Sequence, residues 1–205
     1  MQMDGIIGQP PLGASAAKAV ARFGASGDLI VSELNGRYYE QTKNQNLFWG
    51  ANTAATAISV ALATTYTGLC LSNPAGNLYN LVLTKVSFAL SLAPAAIAPM
   101  GLITGYLSTG VVTHTTALIP ANCLIGIGRA STAKIDAACT LVGTPAWTMP
   151  LMGGFTAAAL PGTTPAILDL EGSIIIPPGA YAAIGALTAV TGFGGIMWEE
   201  VLITS

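Results

Sequence analysis

The chain has 205 residues but only seven basic and nine acidic side chains, for a net charge of −2. Charged residues are 8% of the total, against about 25% in an average soluble chain. Lys18 and Arg22 are the closest approach to a basic cluster, which excludes a nucleic-acid reading, since that needs several cations on one face.

A folded monomer of this mass exposes roughly 9,000 Å². So few charges leave that surface to neutral polar groups, or to cover by other protein. The charge-free intervals 44–84, 86–128, 137–168 and 172–198 are each cut by Gly, Pro, Asn or Thr. None holds 18 consecutive apolar residues, so no spanning helix is expected. No aromatic girdle of a membrane barrel is evident either. The first residues, Met-Gln-Met-Asp, lack the basic and apolar regions of a signal peptide.

Residues 1–27 read as an arm or leader preceding the main domain at 28–205. Pro10-Pro11 is incompatible with regular helix or central strand. Ser15 is placed to cap a short helix through about Phe23, which Gly24 and Gly27 end. Asp28–Leu34 and Arg37–Thr42 flank Asn35-Gly36, the dipeptide of a type I′ turn, and predict a β-hairpin. Further strands are predicted at Asn46–Trp49, Ala57–Ala63, Gly68–Ser72 and Leu78–Leu92. Within the last, Leu81, Leu83 and Lys85 alternate with Val82, Thr84 and Val86. Leu102–Leu107, Thr115–Ile119, Cys123–Ile127, Ala137–Val142 and Leu151–Ala157 continue the series. Leu168–Ile176, Tyr181–Leu187 and Ile196–Ile203 close it, with Gly192–Gly195 read as a turn before the last strand. Many short strands between Gly, Pro, Asn and Thr turns predict an all-β fold, an antiparallel sandwich or barrel.

Chemistry-bearing residues are sparse. His114 is the sole histidine, which rules out three-histidine and HExxH zinc sites; a polar loop without chemistry is its expected setting. Cys70, Cys123 and Cys139 form no CxxC and read as buried free thiols, which suits a reducing cytosol. Asp169 and Glu171 alternate on a strand and share a face; a solvated strand edge or a salt bridge is favoured over an acid–base pair. Glu199 and Glu200 face opposite ways, and one of them is expected to pair with Arg37, Arg129 or Arg22. The stretch Gly126–Ser131 lacks the third glycine of a dinucleotide loop. Tyr38, Tyr39, Phe48, Trp49 and Trp147 read as core or interface anchors, with a sugar platform of exposed rings, such as Trp147 in its Thr/Pro loop, as the alternative, and Trp198 reads as core. No catalytic, cofactor-binding or metal-binding residue is assigned, and no enzyme activity or cofactor is expected.

Several segments together carry a resemblance. They are Asn35-Gly36-Arg37-Tyr38-Tyr39-Glu40, Phe48-Trp49-Gly50-Ala51-Asn52 and Gly68–Gly76, then Gly172–Gly179 and Trp198-Glu199-Glu200-Val201. In this order, over roughly residues 28–203, the chain resembles small virion structural proteins of tailed bacteriophages. The resemblance implies a jelly-roll-like β-sandwich and a capsid decoration, or cement, role. It further implies a homotrimer on the capsid surface that bridges capsomers of the major capsid protein after assembly in the host cytoplasm, with no nucleic-acid or membrane partner. The alternative is a tail, baseplate or head-fibre protein that binds a host-surface glycan.

Overall fold

The computed structural model describes residues 36–58, 62–110, 112–155 and 166–203, with two short strands at 4–6 and 18–20. The chain divides into two compact units, Met1–Tyr39 and Glu40–Ser205. In the first, β1 (Asp4–Ile6) pairs antiparallel with β2 (Lys18–Val20), Ile6 opposite Lys18. The helix expected from Ser15 is therefore wrong at residues 18–20, where cross-strand pairing overrides helix propensity. Its remainder, the expected 27/28 boundary and the outgoing hairpin strand lie outside the described residues.

The return strand of that hairpin is also corrected. Residues Tyr39–Lys43 form a helical turn, α1. The Tyr39 amide donates to the Gly36 carbonyl, so the chain from Gly36 onward turns into a helix. Glu40 in the first turn and Lys43 in the last suit its dipole, and Gln45 at φ 61° ends it.

The second unit is an antiparallel β-sandwich. In chain order its strands are β3 (Leu47–Ala51), β4 (Thr56–Ile58), β5 (Thr65–Ser72), β6 (Tyr79–Leu90) and β7 (Ala98–Tyr106). Then come β8 (Thr113–Leu118), β9 (Ala121–Asn122), β10 (Lys134–Thr140), β11 (Ala146–Phe155), β12 (Ala166–Ile176), β13 (Ala180–Ala186) and β14 (Val190–Leu202). One sheet runs β12-β6-β14-β3-β9, with β4 also on β14; the other runs β11-β7-β13-β5-β10-β8. Eight strands make the frame, in two blocks ordered β3-β14-β6-β12 and β5-β13-β7-β11. The first strand of the eight pairs with the last and the second with the seventh, so the chain winds back on itself.

The main core lies between the blocks. Phe48 and Trp198 stack at 6.0 Å between centroids, both fully buried, among Leu69, Leu83, Leu102 and Ile184. Each such side chain contributes about 2–3 kcal/mol by leaving water. A register break opposite Met197/Trp198 adds Thr84 to β6 as a bulge. Simple alternation would put Leu83 and Val86 on opposite faces; the bulge turns both inward, and Thr84 Oγ1 donates to the Met197 carbonyl at 3.0 Å.

The outer face of the β13 sheet is covered as well. Tyr66, Cys70, Ile103, Cys139, Tyr181 and Ala183 form a second apolar cluster, with Trp147 packed against it. Every residue of β13 is consequently buried. Two further expectations change. Cys123–Ile127 is a loop, turned by Gly126 at φ 91°. Gly192–Gly195 belongs to β14, where a Cβ on Gly192 would sit 2.1 Å from the Ala89 carbonyl oxygen.

Candidate interaction surface and its buried polar anchors

Three charged groups tie down local structure. Glu200 faces inward at the end of β14 with its side chain wholly buried. Its carboxylate accepts from Arg129 Nη1 at 2.7 Å, Ser131 Oγ at 2.6 Å and the Thr132 amide at 2.8 Å. Burial alone would raise its pKa, but the donors from Ser131, Arg129 and Thr132 outweigh that and hold it below the usual carboxylate range. Arg129 also lies over the Phe48 ring at 4.8 Å and the Tyr79 ring at 5.2 Å. The loop 126–131, which lacks the third glycine of a dinucleotide loop, thus cradles an anion, but the anion is the chain's own glutamate. Arg129 is the partner among the three arginines considered. Glu199 faces the other way, and partial burial raises its pKa.

His114 lies on strand β8, not in a loop. Its Nδ1 sits 2.7 Å from Oδ2 of Asp136 on β10. Asp136 is wholly buried, and its other oxygen has no hydrogen-bond partner. Burial raises its pKa, opposed by the hydrogen bond and charge of His114 and by Lys134. Sequence reading passed over Asp136. The available signal was a carboxylate inside an apolar alternation, Ile135-Asp136-Ala137; its meaning depends on the covered outer face, which no local pattern announces. Asp136 sits opposite Cys70 in the ladder. All three cysteines are free: Cys70 and Cys139 are buried and Cys123 is half-buried. Burial, then the contact with Cys139, pushes the Cys70 thiol up.

Asp169 and Glu171 are both exposed on β12, at the edge of its sheet. Asp169 Oδ2 meets Lys85 Nζ at 3.3 Å. Glu171 at φ 51° and Gly172 at φ 86° form a bulge that breaks the ladder between Asp169 and Ile174. Among the described residues no group of three or more His, Cys, Asp or Glu side chains is gathered to hold a metal ion. No helix among the described residues is long and apolar enough to cross a membrane.

The aromatic residues divide. Phe48 and Trp198 are core, Trp147 is half-buried on β11 against the outer cluster, and Tyr39 and Trp49 are exposed. Trp147 therefore does not stand in an open Thr/Pro loop. Trp49 borders a shallow groove of about 320 Å³ on the outer face of the β14 sheet, with Lys85, Ser87, Ile167 and Met197.

Exposed apolar side chains gather at the loops. At one end of the sandwich Leu92, Ile97 and Leu187 are 59–65% exposed, and Thr188 Oγ1 and the Leu187 amide hold their loops together through the Ile97 and Pro99 carbonyls. At the other, Leu78, Leu202 and Ile203 are exposed and joined by the Ile203 amide to the Leu78 carbonyl. Ile125 and Ile127 stand 89% and 77% exposed on the Arg129 loop. None of these loops carries a charge except at Arg129, whose guanidinium turns inward to Glu200. Comparison with protein-family models, curated proteins and solved structures finds no match.

Proposed function

We propose that the chain is a non-enzymatic structural subunit of a virion: a capsid decoration protein that acts as a homotrimer on the shell, bridging capsomers of the major capsid protein. The observation that carries this reading is the cluster of uncharged, apolar loops at the ends of a sandwich whose charged groups are sparse. Such loops gain from being covered, and cover them without the desolvation cost of buried ions. The order β3-β14-β6-β12 over β5-β13-β7-β11 supports a jelly-roll reading of the fold. The named acids and bases support it too: Glu200 with Arg129 and Asp136 with His114 fix loops and strands to the frame.

The test is to add purified protein to shells assembled without it. Saturable binding at symmetry-related sites supports the proposal; a monomer that leaves shells undecorated removes it. Exposed Trp49 beside its groove favours one second reading, a tail, baseplate or head-fibre protein that stacks on a host glycan. Glycan-array binding lost in Trp49→Ala would move the assignment there, and an array without signal would remove it.

A further inference from the structure

The two sheets have four edges, and three are guarded against pairing with another chain. β12 carries Asp169 and Glu171 and a bulge between Asp169 and Ile174. β11 carries Pro150, which has no amide to donate. The edge beside β3 and β14 is closed by β9 and β4, only two and three residues long. Charge, proline, bulges and shortness are the devices by which proteins blunt open sheet edges.

β8 is the fourth edge. It pairs with β10 on one side and, among the described residues, with no strand on the other. Its six residues, Thr-His-Thr-Thr-Ala-Leu, hold no proline and no Lys, Arg, Asp or Glu. Thr113–Ala117 are exposed. Three are threonines, β-branched residues that favour an extended chain. β8 shares one of those devices, an extra residue at Thr115, but the extra residue Ala137 on β10 offsets it, so the two ends of the strand stay in step with the sheet. His114 is anchored inward on Asp136, which holds the strand in place.

We propose that β8 docks a second copy of this chain, the two β8 strands pairing antiparallel across a two-fold axis. Two-fold symmetry sets each patch against itself, so a charged edge would repel its own copy. β8 meets that condition by having no charged residue. With the axis at Thr116, that residue faces its own copy, Thr115 lies opposite Ala117 and His114 opposite Leu118, a register with a threonine self-pair at its centre. Ile119 follows the strand and is 92% exposed, so pairing also covers a large apolar side chain. One six-residue ladder makes a small interface, in the size range of weak, transient contacts. The contact is additional to the trimer proposed above, which a two-fold cannot build, so failure of either one leaves the other standing.

Sedimentation velocity of the full chain over a concentration series, in the presence of reductant, tests it. Wild type shows a reversible two-fold step in mass. Thr115→Lys combined with Thr116→Lys places like charges across the axis and weakens that step at least about tenfold, with an unchanged far-ultraviolet circular dichroism spectrum. In a Cys123→Ser background, Thr116→Cys yields a disulfide-linked pair on mild oxidation, and Leu92→Cys does not. An unchanged step in the folded lysine variant overturns the proposal, as does equal cross-linking from Leu92→Cys. A wild type that shows no such step, yet binds an added Thr-rich extended peptide at β8, overturns the second copy as occupant.

Discussion

Glu200 and Asp136 are both buried carboxylates, yet their environments push them in opposite directions. The folded pKa of Glu200 is depressed below its ordinary 4.5. Its contribution to stability is therefore present above about pH 4.5 and lost as pH falls through the folded value. Glu200→Gln removes the charge that Arg129, Ser131 and Thr132 were built around. It is expected to cost about 2–4 kcal/mol at neutral pH, measured by urea unfolding, with the gap to wild type closing in acid. Asp136 has a folded pKa raised above 3.8. The folded protein holds that proton more tightly, so the Asp136 contribution is complete below about pH 3.8 and is lost as pH rises through the folded value. Removing its donor is the sharper probe. His114→Ala leaves a buried carboxylate without a partner and is expected to cost about 2 kcal/mol at neutral pH. Adding Asp136→Asn to that variant removes the buried charge and recovers part of the loss. Equal stability of the single and double variants would show that the Asp136 charge is not what His114 compensates.

Among the elements, glycine and bulge positions decide which way strands face. In β14 the Gly192 backbone passes so close to Ala89 that any Cβ forces the ladder apart. Gly192→Ala is expected to destabilise by about 2–3 kcal/mol, read as a lowered melting temperature, while Gly76→Ala, where a Cβ meets nothing, acts only through its φ of 80°. The strands themselves were legible where β-branched or apolar runs met turn residues: β3, β5, β6, β12 and β13 fall within a few residues of the expected spans. What was not legible follows from non-local contacts. The Thr84 bulge depends on the register of β14, and the segment expected as a strand closes on itself instead, the Tyr39 amide on the Gly36 carbonyl and the Asn44 amide on the Glu40 carbonyl. Trp147 looked exposed in its Thr/Pro setting and is half-buried because the β13 sheet carries a second cluster on its outer face. Asp136 escaped notice for the same reason. The Arg129–Glu200 pair was reachable as one of three alternatives, since charge alone names candidates and only the fold brings residues 71 positions apart within 2.7 Å.

At the level of the whole molecule, the low charge content acquires a location. The few ionic groups hold the Arg129 loop, β8 and β12, while the loop ends present Leu92, Ile97, Leu187, Ile125 and Ile127. On the proposed reading these ends are covered in the assembled particle. Ile125→Asp with Ile127→Asp, placed on exposed positions far from the core, is expected to leave the unfolding midpoint nearly unchanged and to weaken shell binding by at least about tenfold, equivalent to 1.4 kcal/mol; a titration of shells beside a melting curve checks both. The most direct measurement is hydroxyl-radical footprinting of the protein free in solution and bound to shells. The account predicts that oxidation at Leu92, Ile97, Leu187, Ile125 and Ile127 falls severalfold on binding at one or both ends. Oxidation at these side chains that is the same in the free and bound states would contradict it.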